Sequence, residues 1–168
     1  MSIKKLPSLK FGAGEYVVYP THGVGKIADV TKQTIAGTEL ELLVVNFEKD
    51  KMTLRIPTEK LKSVGLRKIS DTKTMGEALS TLKTKAKVRK LMWSRRAQEY
   101  ENKINSGNPI AIAEVIRDLH RRENIAEQSY SERQIYERAY GRLASEISVY
   151  DNCSYEDANK KIADILAG

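Results

Sequence analysis

A single tryptophan lies among basic residues near the middle of the chain, in the stretch from Lys83 to Lys103. Glu99 and Glu101 are the acidic residues of this stretch. Its cationic residues are far more numerous: Lys83, Lys85, Lys87, Arg89, Lys90, Arg95, Arg96 and Lys103. Cations neutralise phosphates, and a flat apolar ring such as Trp93 can act as a wedge at a base step. These residue types therefore indicate a contact with nucleic acid.

The same tryptophan also fits the core of a helical domain. On a continuous helix one face would carry Trp93, Ala97, Tyr100 and Ile104. Such a stripe is typical of residues that pack inward, and the lysines around it are then a solvated face. Both interpretations of Trp93 stay open on this segment alone.

Composition limits the class of protein. The 168 residues can form one ordinary domain or two small ones, and the net charge of +7 favours polyanionic partners. The single cysteine, Cys153, cannot form an internal disulfide, which fits a reducing cytoplasm. We expect a loose N-terminal arm over residues 1–10 and no transmembrane helix, since no apolar run is long enough to span a bilayer.

Residues 11–69 have the period of β-strands. The β-prone runs are Tyr16–Tyr19, Val24–Ile35, Thr38–Phe47, Met52–Ile56 and Ser63–Leu66. Ala36-Gly37 is typical of a hairpin turn, and Pro57 ends the fourth run before a possible helical turn. Five short strands predict a small bent sheet or barrel that binds through an edge strand or an outer face.

Residues 70–168 change to the 3.6-residue period of helices. The apolar positions predict a short helix around Met75 and Leu82, the Trp93 helix ending near Gly107, a helix opened by Pro109, a helix over Ser131–Val149 and a helix opened by Ser154. The fold class is therefore α+β, with a β-domain over residues 11–69 and an all-helical bundle over residues 70–168.

Catalysis finds no support in the sequence. His22 and His120 fall in different predicted domains, and no cluster of His or Cys has the spacing of metal ligands. Two G-x-G pairs, Gly12–Gly14 and Gly23–Gly25, open strands rather than helices, so they do not indicate a nucleotide site. We expect no enzyme activity, no metal and no cofactor.

Other arginines are interleaved with acidic residues in the second half of the chain: Arg117, Arg121, Arg122, Arg133, Arg138 and Arg142. This pattern predicts a solvated face with ion pairs. Arg133 comes early in its helix, where a positive charge is unfavourable against the helix dipole, so it is a candidate partner contact. Arg55 points away from the sheet core, either to discourage edge aggregation or to contact a partner.

Several stretches together resemble the CarD/CdnL family of bacterial transcription regulators. They are V-V-Y-P-T-H-G-V-G at Val17–Gly25, T-L-R-I-P at Thr53–Pro57, W-S-R-R at Trp93–Arg96 and A-E-V-I-R-D-L-H-R-R at Ala113–Arg122. The β-half is also similar to a module of transcription-repair coupling factors, whereas the helical half with W-S-R-R is specific to the CarD/CdnL type.

The resemblance implies a fold and a mechanism. A Tudor-like (SH3-like) β-barrel would bind the β subunit of RNA polymerase, and the helical bundle would contact promoter DNA in the minor groove without reading its sequence. Trp93 would be a wedge at the upstream edge of the transcription bubble that stabilises the open complex. The DNA contacts beside Trp93 would be Lys90, Arg95 and Arg96. Arg133 falls near a position where the family often has a basic residue that contacts DNA.

On the polymerase side the resemblance places Arg55 and Pro57 on the binding strand. Lys32 and Gln33 stand where family members can carry arginine, and a lysine lacks the two-pronged hydrogen bonding of arginine. Gln98 replaces a basic residue of some relatives. The resemblance implies a cytoplasmic monomer that is associated with the nucleoid through RNA polymerase.

Two alternatives remain at this point. The chain could be a general RNA- or DNA-binding adaptor, for example a ribosome-associated one, that uses the basic helix without polymerase. It could also be a structural adaptor in which Trp93 is a core residue.

Overall fold

The strands of this α+β chain come first and its helices follow. A computed structural model describes residues 11–87, 91–120 and 129–168. The chain divides into two units between Ile69 and Ser70. The N-terminal arm that the sequence predicts over residues 1–10 lies outside the described residues.

The first unit is a five-stranded antiparallel sheet. Its strands are β1 (Tyr16–Tyr19), β2 (Gly23–Ile35), β3 (Thr38–Phe47), β4 (Met52–Pro57) and β5 (Arg67–Lys68). Their order in the sheet is β4-β3-β2-β1-β5. The first four strands agree with the alternating runs of the sequence because one face of each run is apolar and packs inward.

The hairpin between β2 and β3 has the two-residue turn that the sequence predicts. Ile35 pairs with Thr38, and both intervening residues have positive φ, 53° at Ala36 and 78° at Gly37. Two successive positive φ values are typical of the turn whose twist matches that of the adjoining strands.

One face of the sheet carries the core of this unit. The buried residues are Val17, Ile27, Leu43, Val45, Phe47, Ile56, Leu61 and Leu66. Gly25 lies on this face so close to β3 that an added Cβ would come within 2.6 Å of Val45 Cγ1 and 2.8 Å of Phe47 Cε1. Only glycine therefore allows the neighbouring strand to pack at this position.

The structure corrects two predictions for this unit. The sheet is not a closed barrel in the described residues, because β4 and β5 lie at opposite ends of the strand order and do not pair with each other. The predicted strand Ser63–Leu66 is also wrong. After a 3₁₀ turn over Thr58–Lys60 the chain forms the short helix α1 (Leu61–Val64).

A glycine cap explains the second correction. Gly65 has φ of 76°, its N–H donates to Lys62 O at 3.2 Å, and the N–H of Leu66 donates to Leu61 O at 3.2 Å. These two bonds form a Schellman ending, which brings Leu61 and Leu66 together in the core. Alternation over four residues could not reveal this helix end.

The second unit is helical. Its helices are α2 (Thr72–Lys83), α3 (Trp93–Asn105), α4 (Pro109–Leu119), α5 (Tyr130–Asp151) and α6 (Tyr155–Ala167). Four of them begin with a side chain that accepts a backbone hydrogen bond: Asp71, Asn108, Ser129 and Ser154. Each such cap stabilises a helix by about 1 kcal/mol. The Asp71 hydrogen bonds to Thr74 also hold the pKa of that carboxyl below its usual range.

A buried carboxylate fixes the start of the helical unit. Glu146 of α5 is 3% exposed and accepts hydrogen bonds from Ser70 N at 2.8 Å and Ser70 Oγ at 2.6 Å. The core of the unit lies between the helices and includes Met75, Leu82, Ile104, Ile116, Leu143 and Ile162. In the described part of the chain, no helix is both long enough and apolar enough to cross a membrane.

Two glycine substitutions test this packing in opposite directions. We expect Gly25→Ala to destabilise the first unit by about 1–3 kcal/mol because the new methyl group overpacks Val45 and Phe47. Gly76→Ala is the control, since Gly76 lies in α2 and no atom lies within 4 Å of the place that an added methyl group would take. Alanine there should stabilise by about 0.5–1 kcal/mol. Calorimetric unfolding of both variants measures the difference, and equal shifts would contradict this account of Gly25.

Candidate functional site

Trp93 is the first residue of α3 and is half-buried. Its ring lies 6.3 Å from the ring of Tyr100, measured between centroids, with the planes tilted by 49°. It packs against the helical core, as the predicted stripe with Ala97, Tyr100 and Ile104 requires. The indole is therefore packed against the helical core without being fully enclosed by it. Core packing thus applies in part, and the contact with nucleic acid stays a prediction.

Arg96 clamps this pair of rings. Its guanidinium carbon lies 5.4 Å from the centroid of Trp93 and 5.9 Å from that of Tyr100. Its Nη2 donates a long hydrogen bond of 3.4 Å to the Tyr100 hydroxyl. A guanidinium over an aromatic face is attracted by the ring, an effect of about 0.5–2 kcal/mol. Arg96 thus orients Trp93 in addition to carrying charge.

Charge pairing distinguishes the predicted contact residues from Arg117 and Arg138. Arg138 pairs with Glu101 of α3, and Arg117 pairs with Asp118 at 2.9 Å. Among the described residues, no carboxylate pairs with Arg95, Arg96 or Arg133. Arg95 and Arg133 are exposed, so their charges face solvent. Lys90, the remaining predicted DNA contact, lies outside the described residues.

The prediction of a solvated face is wrong at Arg117 and Asp118, while Arg121 and Arg122 lie outside the described residues. Arg117 and Asp118 are 8% and 4% exposed, on the inner part of α4. Asp118 Oδ1 accepts from Arg117 Nε and from Lys87 N, each at 2.9 Å. Arg117 Nη1 donates to Thr84 Oγ1 at 2.9 Å. The pair is buried because the segment after α2 runs over it and supplies its hydrogen-bond partners.

Sequence reasoning missed this anchor. Thr84 and Lys87 are 33 and 31 residues away from their partners, so no local pattern connects them. The segment they belong to opens the basic stretch before Trp93 and is hydrogen-bonded to α4. Gln98 is the residue that the resemblance places where some relatives have a basic one. Its Nε2 donates to Asn102 Oδ1 on the same helix at 3.0 Å.

The two histidines have structural partners. His120 follows α4, is half-buried, and its Nδ1 lies 3.1 Å from the Tyr136 hydroxyl. Burial raises the pKa of Tyr136 to about 12. His22 lies beside Tyr19 and Phe47, with ring centroids 5.0 and 5.6 Å away. Within the described residues, no three His, Cys, Asp or Glu side chains are placed to hold a metal ion.

The predicted polymerase contacts lie on the sheet of the first unit. Arg55 is exposed on β4, an edge strand, and is opposite Val44 of β3. Pro57 is opposite Leu42, and Gln33 of β2 is opposite Leu40. Because Leu40, Leu42 and Val44 alternate on one face of β3, the side chains opposite them share that face.

Lys32 belongs to the other face. It lies opposite Glu41, which alternates with the Leu40 face, so its side chain is directed away from that of Arg55. The four residues predicted for the polymerase side are therefore split by the sheet into a group of three and Lys32. Arg55, like Arg95, has no carboxylate partner among the described residues.

Comparison with known proteins assigns both units. The domain family described as "CarD, C-terminal domain" matches residues 77–163, and the "CarD-like/TRCF RID domain" matches residues 11–70. "Putative transcription factor YdeB" of Bacillus subtilis (strain 168) is 30% identical over 139 residues, which are 83% of this chain and 91% of that protein.

A solved structure is also similar to part of this chain. The solution structure of the 72-residue N-terminal domain of Myxococcus xanthus CarD is 28% identical and has a TM-score of 0.31; the match covers 40% of this chain and 91% of that domain. The domain family matched by residues 11–70 is known for interaction with RNA polymerase, and the family as a whole is one of transcription factors rather than enzymes. The chain belongs to the CarD/CdnL family of transcription factors.

Proposed function

We propose that this protein binds the β subunit of RNA polymerase through its sheet unit and stabilises the promoter open complex through Trp93. The indole would act as a wedge at the upstream edge of the transcription bubble. The observation that carries the proposal is the half-buried Trp93 ring, clamped by Arg96 and Tyr100 at the start of α3. The protein would act in the cytoplasm, as a monomer, at the nucleoid.

A fixed ring is better suited to this task than a mobile one. Restacking of the bases closes the bubble, and a ring in the space they need opposes that closure. Unstacking costs a few kcal/mol per base step, so one wedge with a few phosphate contacts has the right magnitude to shift the equilibrium. Because Arg96 and Tyr100 already hold the indole, little side-chain entropy is lost when it docks.

The cations around the ring support a contact with phosphates. Arg95 and Arg133 are exposed and have no carboxylate partner among the described residues. Neutralising phosphates releases counterions, which stabilises a complex without reading the base sequence. Lys90 would add to this group. Arg96 contributes its charge while keeping the indole in place.

The sheet unit would deliver the helical unit to DNA. Strand β4 has an unpaired edge in the described residues, and such an edge can accept a further strand from a partner. Arg55, Pro57 and Gln33 share one face of the sheet and would form the contact. Attachment to polymerase raises the effective concentration of a weak DNA binder near the promoter.

Removal of the indole tests the DNA contact. We expect Trp93→Ala to shorten the open-complex lifetime about tenfold, equivalent to about 1.4 kcal/mol, because restacking is no longer opposed. The lifetime is measured as the decay of preformed complexes after a competitor is added. Binding to polymerase should be unchanged, and Tyr155→Ala, which removes another partly exposed ring, is the control. An unchanged lifetime for Trp93→Ala would contradict the wedge.

Charge reversal tests the polymerase contact. We expect Arg55→Glu to weaken binding to RNA polymerase core at least tenfold. Arg55 has no carboxylate partner among the described residues, so the reversed charge acts on the polymerase, where an acidic or polar site repels it. Lys60→Glu makes the same change in net charge at an exposed position of the same unit and should bind normally. Titration of labelled protein with polymerase measures both affinities. Normal binding of Arg55→Glu would remove Arg55 from the contact.

The alternative function, a general nucleic-acid adaptor, makes a different prediction. Such an adaptor would bind plain duplex tightly and with strong salt dependence in the absence of polymerase. The proposal expects weak binding under these conditions. Measurement of duplex affinity at two salt concentrations, with and without polymerase core, separates the two functions.

A further inference from the structure

An exposed apolar pair lies immediately before Trp93. Leu91 is 37% exposed and Met92 is 76% exposed, next to a tryptophan that is largely supported by the bundle. Among the large apolar side chains of the described residues, only that of Tyr130 is as exposed as that of Met92. The Tyr130 hydroxyl accepts a hydrogen bond from Gln134 at 2.6 Å. Met92 has no polar group that could form such a hydrogen bond, so its contact with water is unfavourable.

Met92 also occupies a position where a polar residue would stabilise the protein. It is the N-cap of α3, and its side chain forms no capping hydrogen bond. The corresponding residues of the other long helices are Asp71, Asn108, Ser129 and Ser154, all of which cap. Methionine is therefore unfavourable here both as an exposed residue and as a cap, which is expected where a binding partner covers the side chain.

The positive charge of the sequence on both sides of Met92 favours an anionic partner. From residue 78 to residue 98 the sequence contains no Asp or Glu. The exposed cations of this region that the structure describes are Lys83, Lys85, Lys87 and Arg95. An exposed apolar side chain in a segment that carries cations and no carboxylates complements a base step flanked by phosphates.

We infer that Met92 is a second apolar contact to the opened promoter, beside the Trp93 wedge. This inference rests on the proposed function of Trp93 and extends it. An unbranched thioether adapts its shape more readily than a clamped indole, so it can fill the irregular space of a partly melted step. The wedge is then composite, with one rigid and one adaptable element.

A cap substitution separates this role from a structural one. Met92→Ser removes the apolar contact and supplies the side-chain cap that α3 lacks. We expect its unfolding temperature to be equal to that of the native protein or a few degrees higher, while the open-complex lifetime falls three- to fivefold. Met92→Leu keeps an apolar side chain of similar volume and should retain most of the native lifetime. Both variants are measured as full chains with polymerase and promoter DNA.

Each outcome decides between the possibilities. A shorter lifetime without loss of thermal stability for Met92→Ser, and a near-native lifetime for Met92→Leu, supports the inference. A native lifetime for Met92→Ser alongside a short one for Trp93→Ala overturns the inference and leaves the proposed function intact. A fall in unfolding temperature also overturns it, since Met92 would then stabilise the fold. Native lifetimes for both Met92→Ser and Trp93→Ala would reject the proposed function itself.

Discussion

The hydrogen bonds of the buried Arg117–Asp118 pair connect the start of the basic stretch, at Thr84 and Lys87, to helix α4. Asp118 is buried with Arg117, and burial of two charges is tolerated only when their hydrogen-bonding groups are satisfied. Asp118 meets this requirement with Arg117 Nε and the backbone of Lys87, and Arg117 adds Thr84. Loss of one partner of such a pair typically destabilises by about 3–5 kcal/mol. Helix α4 thereby fixes a segment that lies outside its own sequence.

The candidate contact surfaces of the two units differ in kind, since one is an aromatic side chain and the other is the edge of a sheet. In the helical unit, the half-buried Trp93 ring packs beside Tyr100 and the Arg96 guanidinium. In the sheet unit, function would rest on backbone groups of an edge strand and a few exposed side chains, with the core on the opposite face. A transcription factor with two weak contacts can gain affinity from their linkage, since each contact raises the effective concentration of the other.

Local patterns predicted most of the fold, and long-range contacts account for what they missed. Alternation and turn residues predicted the first four strands, and apolar spacing with Pro109 and Ser154 predicted the helices. The strand expected at Ser63–Leu66 is instead a helix end fixed by Gly65. The burial of Arg117 and Asp118 could not be predicted because Thr84 and Lys87 are distant in sequence. Trp93 is a candidate from its residue type and basic neighbours, and its role stays a prediction, whereas its contacts with Arg96 and the exposure of Met92 required coordinates.

The edge of β4, which is unpaired in the part of the chain that the structure describes, also affects pairing with a second copy. If two copies of the chain paired antiparallel through this edge around Arg55, the two guanidinium groups would be brought side by side, and like charges opposite each other destabilise a sheet. Pro57 at the end of the strand lacks the N–H that a longer ladder would need. The edge therefore disfavours a second copy of the same chain while staying open to a strand with complementary charge.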